Sequence, residues 1–321
     1  MYKYVTLLDR EGSLWARWSR DDYATPPLFF KPLLRAPLGQ PVMVDAAAFR
    51  ACWSDSARVA FDAKRMRLVV DDAGAGQHTR LACFYPDPLL EDGFTHAARI
   101  EDAAALHMAA LSHDARWGAV AAYVRVGDGE ARVWSTNRVG LIRAIAPGTG
   151  EASFVLRAVD VRALRALKGA LDVFVRNEAP QRLRLAARSG VVEVELMRLP
   201  FPDFDAVIQP EPSAYVDARE LVRALKLARA GEREDAAQAR FALTHDALTI
   251  TSESASTRVA LEGDARPVEA DFNPALALKL AQLLGGAVAV GIGEPSSTLQ
   301  LSGARGVVTV DAVLASLGTR K

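Results

Sequence analysis

Leu199-Pro200-Phe201-Pro202-Asp203-Phe204-Asp205-Ala206-Val207-Ile208 decides how this 321-residue chain is divided. Two prolines bracket Phe201, an apolar run follows, and Gln209-Pro210-Glu211-Pro212 closes the stretch. Proline fixes φ and holds the preceding residue extended, so these residues form a stiff connector. Phe201, Phe204, Val207 and Ile208 supply apolar side chains that can seat it against neighbouring layers. A Pro-rich link between domains accounts for the composition alone. The likeness of the segments it joins raises it above a plain link.

Three helix candidates each open on an N-capping residue. They begin at Asp45 (Asp45–Trp53), Asp160 (Asp160–Lys168) and Asn273 (Asn273–Leu280), the last with Pro274 at the tolerated first helical position. Their starts are 160 − 45 = 115 and 273 − 160 = 113 residues apart. Alternating strand-like runs follow each: Met66–Val70, Leu183–Leu185 and Thr298–Leu301. Each run meets a Gly-containing turn at Gly74-Ala75-Gly76, Ser189-Gly190 or Gly303-Ala304-Arg305-Gly306, then another strand. A second landmark agrees. Gly12–Ser19, Glu130–Ser135 and Ala247–Thr251 resemble one another, with Trp18, Trp134 and Ile250 spaced 134 − 18 = 116 and 250 − 134 = 116.

Further helices are expected near Asp102–Ser112 and Asp217–Ala230, so the middle and final units read strand–helix–strands–helix–strands. The expectation is an α+β chain of three tandem repeats, with boundaries at 1–92, 93–208 and 209–321. The first repeat is too short to hold its opening strand and helix: either it is naturally truncated or the protein starts upstream.

Half the residues are hydrophobic and 24% are charged, the profile of a globular protein. Thirty-nine basic residues balance thirty-nine acidic ones, so any nucleic-acid face must come from clustering. Cys52 and Cys83 are far apart and in no metal-like spacing, which fits reduced thiols. Met1-Tyr2-Lys3-Tyr4 turns charged by Asp9-Arg10-Glu11 with no apolar leader, and no long apolar run follows. A cytoplasmic protein without a membrane span is expected.

Three α+β units of this length, with Phe201-Pro202-Asp203-Phe204-Asp205-Ala206-Val207-Ile208 between the second and third, resemble the bacterial beta sliding clamp. That family is the processivity subunit of the replicative DNA polymerase. The resemblance extends to Asp114-Ala115-Arg116-Trp117, to Thr136-Asn137-Arg138-Val139-Gly140-Leu141, and to Asp271-Phe272-Asn273. It implies a head-to-tail homodimer whose six domains close into a ring, with helices lining a central hole and strands outside. Such a ring encircles double-stranded DNA without chemistry and tethers polymerases and repair enzymes to it; DNA polymerase and clamp loader are the partners the resemblance implies.

A clamp must hold DNA and still slide, so its hole needs positive charge without base readout. Arg219, Arg223, Lys226, Arg229 and Arg233 recur at spacings of 4, 3, 3 and 4, one face of a helix. That stripe is either DNA-facing or a solvated helix face; the acids Glu232, Glu234 and Asp235 end it near Arg229. Arg162, Arg165 and Lys168 repeat the idea in the middle unit, with Arg157 just before. By resemblance, His113 and Trp117 sit where the family touches DNA near the rim. Trp117 either stacks on a base or packs in the core.

The family receives short peptides in an apolar groove between its second and third units. Here Thr136 and Leu141 keep the ends of one wall, Pro202 and Val207 the opposite wall, and Val307 or Val308 is expected to close it. Arg138, Val139 and Gly140 replace the centre, and Ala206 stands where a basic residue is common. Either peptide preference is altered or the site is lost. The dimer seam is expected to be weak, with Ala230-Gly231-Glu232 on one side and Leu81 and Cys83 on the other.

Enzyme chemistry finds no support in the motifs. Gly74-Ala75-Gly76 has no following helix or Lys-Ser/Thr, so no phosphate loop forms. His107 and His113 face different sides of a helix with no acid completing a metal spacing, and His78, His96 and His245 are isolated. Ser252-Glu253-Ser254 lacks a Gly-x-Ser-x-Gly setting. No cofactor, metal or catalytic residue is expected. The alternative to a replicative clamp is a divergent clamp-fold paralogue, an accessory protein that binds DNA or another clamp.

Overall fold

Alternation of side chains makes most of the described residues sheet. Over Arg67–Asp72, Leu68, Val70 and Asp72 are buried while Arg67 and Asp71 face water, the period-two signature of a strand. The computed structural model describes residues 4–10, 13–19, 28–34, 38, 41–72, 76–82, 93–109, 121–136, 139–157, 160–161, 164–177, 181–196, 200, 203–208, 212–230, 238–293 and 298–317.

The chain opens with strands β1 (Tyr4–Arg10), β2 (Ser13–Ser19), β3 (Leu28–Leu34) and β4 (Val42–Asp45), then helix α1 (Ala46–Cys52). Next come β5 (Arg58–Asp62), β6 (Arg67–Asp72), β7 (Gln77–Ala82), β8 (Thr95–Ile100) and α2 (Ala104–Ala109). β9 (Ala121–Gly127), β10 (Glu130–Thr136), β11 (Gly140–Gly150) and β12 (Ala152–Arg157) precede β13 (Leu171–Arg176), β14 (Arg182–Ala187) and β15 (Gly190–Glu195). The 3-10 turn Asp205–Val207 lies between these and β16 (Ala214–Asp217), which leads into α3 (Ala218–Arg229). Five more elements are β17 (Ala239–Leu243), β18 (Ala247–Thr251), β19 (Ser256–Ala260), β20 (Glu262–Gly263) and β21 (Val268–Phe272). The last are α4 (Pro274–Ala281), β22 (Gly285–Gly293), β23 (Thr298–Arg305) and β24 (Val308–Ala315).

The chain packs as two compact units, each discontinuous in sequence. The first joins Met1–Arg99 to Arg162–Leu196. Its larger sheet runs β4-β1-β2-β3-β15-β14-β13-β8 and its smaller one β5-β6-β7. Between them lies a core of Val5, Leu7, Leu14, Val42, Val44, Phe49, Leu68 and Val70. The Asp45 carboxylate caps α1 by accepting from Ala48 N at 2.7 Å, and Phe49 stacks on Trp53.

The second unit joins Ile100–Val161 to Met197–Lys321. Its larger sheet runs β12-β9-β10-β11-β24-β23-β22-β16, with β20 also paired to β16. The smaller runs β21-β17-β18-β19, and Phe241 meets Phe272 edge-on in its core. Helices α3 and α4 pack on each other, and α3 lies on β19 and β22. Strand pairing explains why the contiguous stretch 93–208 is shared between the units: β15 hydrogen-bonds to β3 and β11 to β24.

The helix expected over Asp160–Lys168 is shorter than its sequence suggests. Asp160, Val161 and Leu164 are helical, Arg165 and Ala166 form a turn, and Lys168 lies beyond it. Lys168 N donates instead to Ser189 Oγ at 2.9 Å, and Gly169 turns away at φ +75°. Among the described residues, no helix is long and apolar enough to cross a membrane.

Candidate nucleic-acid interface and partner groove

Helix α3 is positioned by Asp217, whose carboxylate accepts from the N–H groups of Arg219 (2.8 Å) and Glu220 (3.2 Å). Ala218, Leu221, Ala224, Leu225 and Ala228 are buried, which fixes the opposite face outward. Arg219, Arg223 and Lys226 are exposed on that face, and Arg229 is half-buried. Among the described residues none of Arg219, Arg223 and Lys226 forms an ion pair. They line a groove of about 690 Å³ with Val222, Leu227, Gln282, Leu284 and the start of β22 at Gly285 and Gly286. Three unneutralised cations at one helical spacing create a field for a polyanion and offer no fork aimed at a particular base. Arg165 and Lys168 are exposed as well. Arg157 is not available to a ligand: its Nε and Nη2 bond to Asp160, which is fully buried. His113, Trp117, Arg162 and Arg233 lie outside the described residues.

The second cluster is built around the connector at Asp203–Ile208. Phe204 meets Tyr123 edge-on at 5.0 Å and stacks over Trp134 at 6.4 Å. Together with Ile208 it packs on Tyr123, Trp134, Leu141, Val155 and Val313. Asp205 fastens the turn. It accepts from Trp134 Nε1 at 3.2 Å and from Arg143 Nη1 at 2.9 Å, and pairs with Arg132 at 3.6 Å. Arg143 reaches the other way to Asp311 through Nε (3.0 Å) and Nη2 (2.7 Å). One guanidinium thus ties the connector to β24. Burial raises the Asp205 pKa, but the donors Arg143 and Trp134 and the Arg143 and Arg132 charges outweigh it, leaving the group below the usual carboxylate range.

Of the expected groove residues, Leu141 is buried in this cluster and Thr136 beside it donates to Gly140 O at 2.8 Å. Val207 is 49% exposed on the turn, and Pro202 lies outside the described residues. Val307 and Val308 are not brought here. Leu141 pairs with Val313, and Val308, at the other end of β24, pairs with Arg305; five residues of strand span about 17 Å. Val307 is 62% exposed on that distant hairpin, and Val313 takes the expected place. Sequence reasoning did not find Arg143, Asp311 or Arg132. Their partners lie up to 168 residues away, and no local spacing marks them.

These two candidate sites sit on a fold that solved structures share. The chain matches the DNA polymerase III subunit beta of Pseudomonas aeruginosa with a TM-score of 0.75 at 16% identity, over 99% of this chain and 93% of that one. It matches the Caulobacter crescentus sliding clamp at 0.72 and 16%, over 99% and 92%. For the Thermotoga maritima beta subunit the values are 0.73 and 12%, over 99% and 91%. No family model matches the chain, and no curated protein is similar to it in sequence. The chain has the fold of the bacterial DNA polymerase III beta sliding clamps, which supports the resemblance carried by Phe201–Ile208.

Proposed function

We propose that this chain is a sliding-clamp subunit that encircles duplex DNA and tethers a polymerase or repair protein, with no catalysis of its own. The observation that carries the reading is the cationic face that Arg219, Arg223 and Lys226 give α3 on a clamp fold. The chain is then three repeats, 1–92, 93–208 and 209–321. A recurring pairing order supports this: β4-β1-β2-β3, β12-β9-β10-β11 and β21-β17-β18-β19, with β8-β13-β14-β15 matched by β16-β22-β23-β24. Two copies close head to tail. Among the described residues the outer edges of β19 and β7 carry no strand, leaving main-chain groups for pairing across copies.

In this reading Arg219, Arg223, Lys226 and Arg229, with Arg162, Arg165, Lys168, His113 and Trp117, face the DNA. A polymerase or clamp-loader peptide docks beside Thr136, Leu141, Pro202 and Val207. The test is topological. Protein loaded on nicked circular DNA by the clamp loader of its own cell should stay on the circle through gel filtration and run off when the circle is cut. Equal retention on cut and uncut DNA removes the encircling reading.

The replacement of the groove's centre by Arg138, Val139 and Gly140 favours a second reading, a clamp-fold paralogue acting as an accessory protein on DNA or on another clamp. Rescue of a clamp-depleted bacterium decides for the replicative role; failure with DNA binding retained decides for the paralogue.

A further inference from the structure

Strand register lays the side chains of the sheet β12-β9-β10-β11-β24 in rows. On the face that carries the connector, one row is Val155, Tyr123, Trp134, Arg143 and Asp311, each directly opposite the next. The turn Asp205–Val207 is seated on it: Phe204 packs on Tyr123 and Trp134, and Asp205 takes Arg143. Two residues away on every strand, and so on the same face, lies a second row, Ser153, Arg125, Arg132, Ile145 and Thr309. The first row is buried except for the half-buried Arg143, whereas every member of the second is exposed or half-buried.

Charges in the second row do not balance. Arg132 is shared by two carboxylates, Glu130 at 3.0 Å and Asp205 at 3.6 Å. Arg125 stands directly opposite Arg132, is exposed, and meets no carboxylate among the described residues. Like charges placed opposite each other repel, and a counter-charge on each relieves the cost. Close by is Val207, exposed on the turn that Asp205 ties to Arg132. An open apolar side chain and an uncompensated cation thus lie on the order of 10 Å apart, about three residues of extended chain.

We propose that the partner docking beside Val207 is a short apolar peptide with acidic flanks, and that Arg125 selects it. The inference rests on the partner-groove reading and deepens it. The peptide sets its apolar anchors against Val207 and holds a carboxylate over Arg125, giving that guanidinium the counter-charge that Arg132 already has. A basic flank would bring a third cation beside Arg125 and Arg132 and is rejected. Because Arg125 is exposed, the pairing contributes selectivity and encounter rate more than affinity. A nucleic-acid strand is the less favoured occupant: Glu130, Asp205 and Asp311 on the same face repel a chain of phosphates, and Val207 offers it nothing.

The test titrates two synthetic heptapeptides into the full 321-residue chain, one with a Leu-Leu-Phe core and two aspartates on each side, the other with asparagines in their place. The aspartate peptide should bind about fivefold more tightly in about 50 mM salt, and less than about twofold more tightly in about 0.5 M salt. Arg125→Gln should remove the preference by weakening the aspartate peptide about fivefold, Arg125→Lys should keep it, and neither should lower the melting temperature. Val207→Ser should weaken both peptides alike. Equal affinity of the parent for the two peptides overturns this inference and leaves the groove reading in place. So does an aspartate preference that survives Arg125→Gln. If neither peptide binds at millimolar concentration, the groove reading falls and this inference falls with it.

Discussion

Arg143 stands between two carboxylates and holds Asp205 at 2.9 Å while gripping Asp311 at 2.7 Å. Asp311 is only 10% exposed and Arg143 21%, so the pair is largely out of water. The connector therefore owes its place to a charge on the neighbouring sheet as much as to its prolines. Replacing Arg143 with Met keeps the apolar stem and leaves Asp311 buried beside no guanidinium. The expected loss is about 2–3 kcal/mol in urea unfolding. A loss under about 0.5 kcal/mol, the range of ordinary surface changes, means that the clasp does not hold the connector.

The same clasp makes stability depend on acid. The Asp205 carboxyl titrates lower folded than unfolded, so its contribution is fully present above the unfolded value of about 3.9. It disappears as pH falls through the lower folded value. The melting-temperature gap between the parent and Asp205→Asn should be constant from pH 7 to about 5 and close on further acidification. A gap that widens toward acid has the wrong sign for this account.

Charge reversal on α3 separates binding from folding. Arg223 and Lys226 are exposed, so the double variant Arg223→Glu, Lys226→Glu should change stability by less than about 1 kcal/mol. Retention on circular DNA should fall. The slope of log affinity against log salt should drop by roughly 2, about one for each phosphate no longer neutralised. Unchanged salt dependence excludes this face from the DNA.

Asn273 caps α4 from a buried position, its Oδ1 accepting from Ala275 N at 2.9 Å and Leu276 N at 3.0 Å. Asn273→Ala leaves both donors unsatisfied and should cost about 1–2 kcal/mol, read by thermal or urea unfolding. Asn273→Asp keeps the acceptor and should recover most of it.

The elements that local chemistry controls were legible in the sequence. Asp45, Asp217 and Asn273 each cap the helix expected of them, because a capping side chain acts within three residues of itself. The cationic face of α3 followed from spacing alone. The segment after Asp160 did not, because tertiary demands prevailed: Asp160 is consumed by Arg157, and Lys168 meets Ser189. Of the cluster around the connector, the sequence marked only one side. Leu141 and the connector were both marked by the family resemblance and do pack together, but which residue of β24 faces them depends on strand register. Val313 and Asp311 are set there by pairing with Leu141 and Arg143, and a shift of one residue turns every side chain to the other face.

The pairing of β11 with β24 also governs how the chain is made. Arg143 and Asp311 are 168 positions apart, so β11 leaves the ribosome long before its neighbour has been synthesised. At about 5–20 residues per second, that edge waits some ten to thirty seconds without its partner. During this interval it is a template for the wrong strand, from this chain or another. Nascent molecules stalled before Val308 should therefore be the species that chaperones hold.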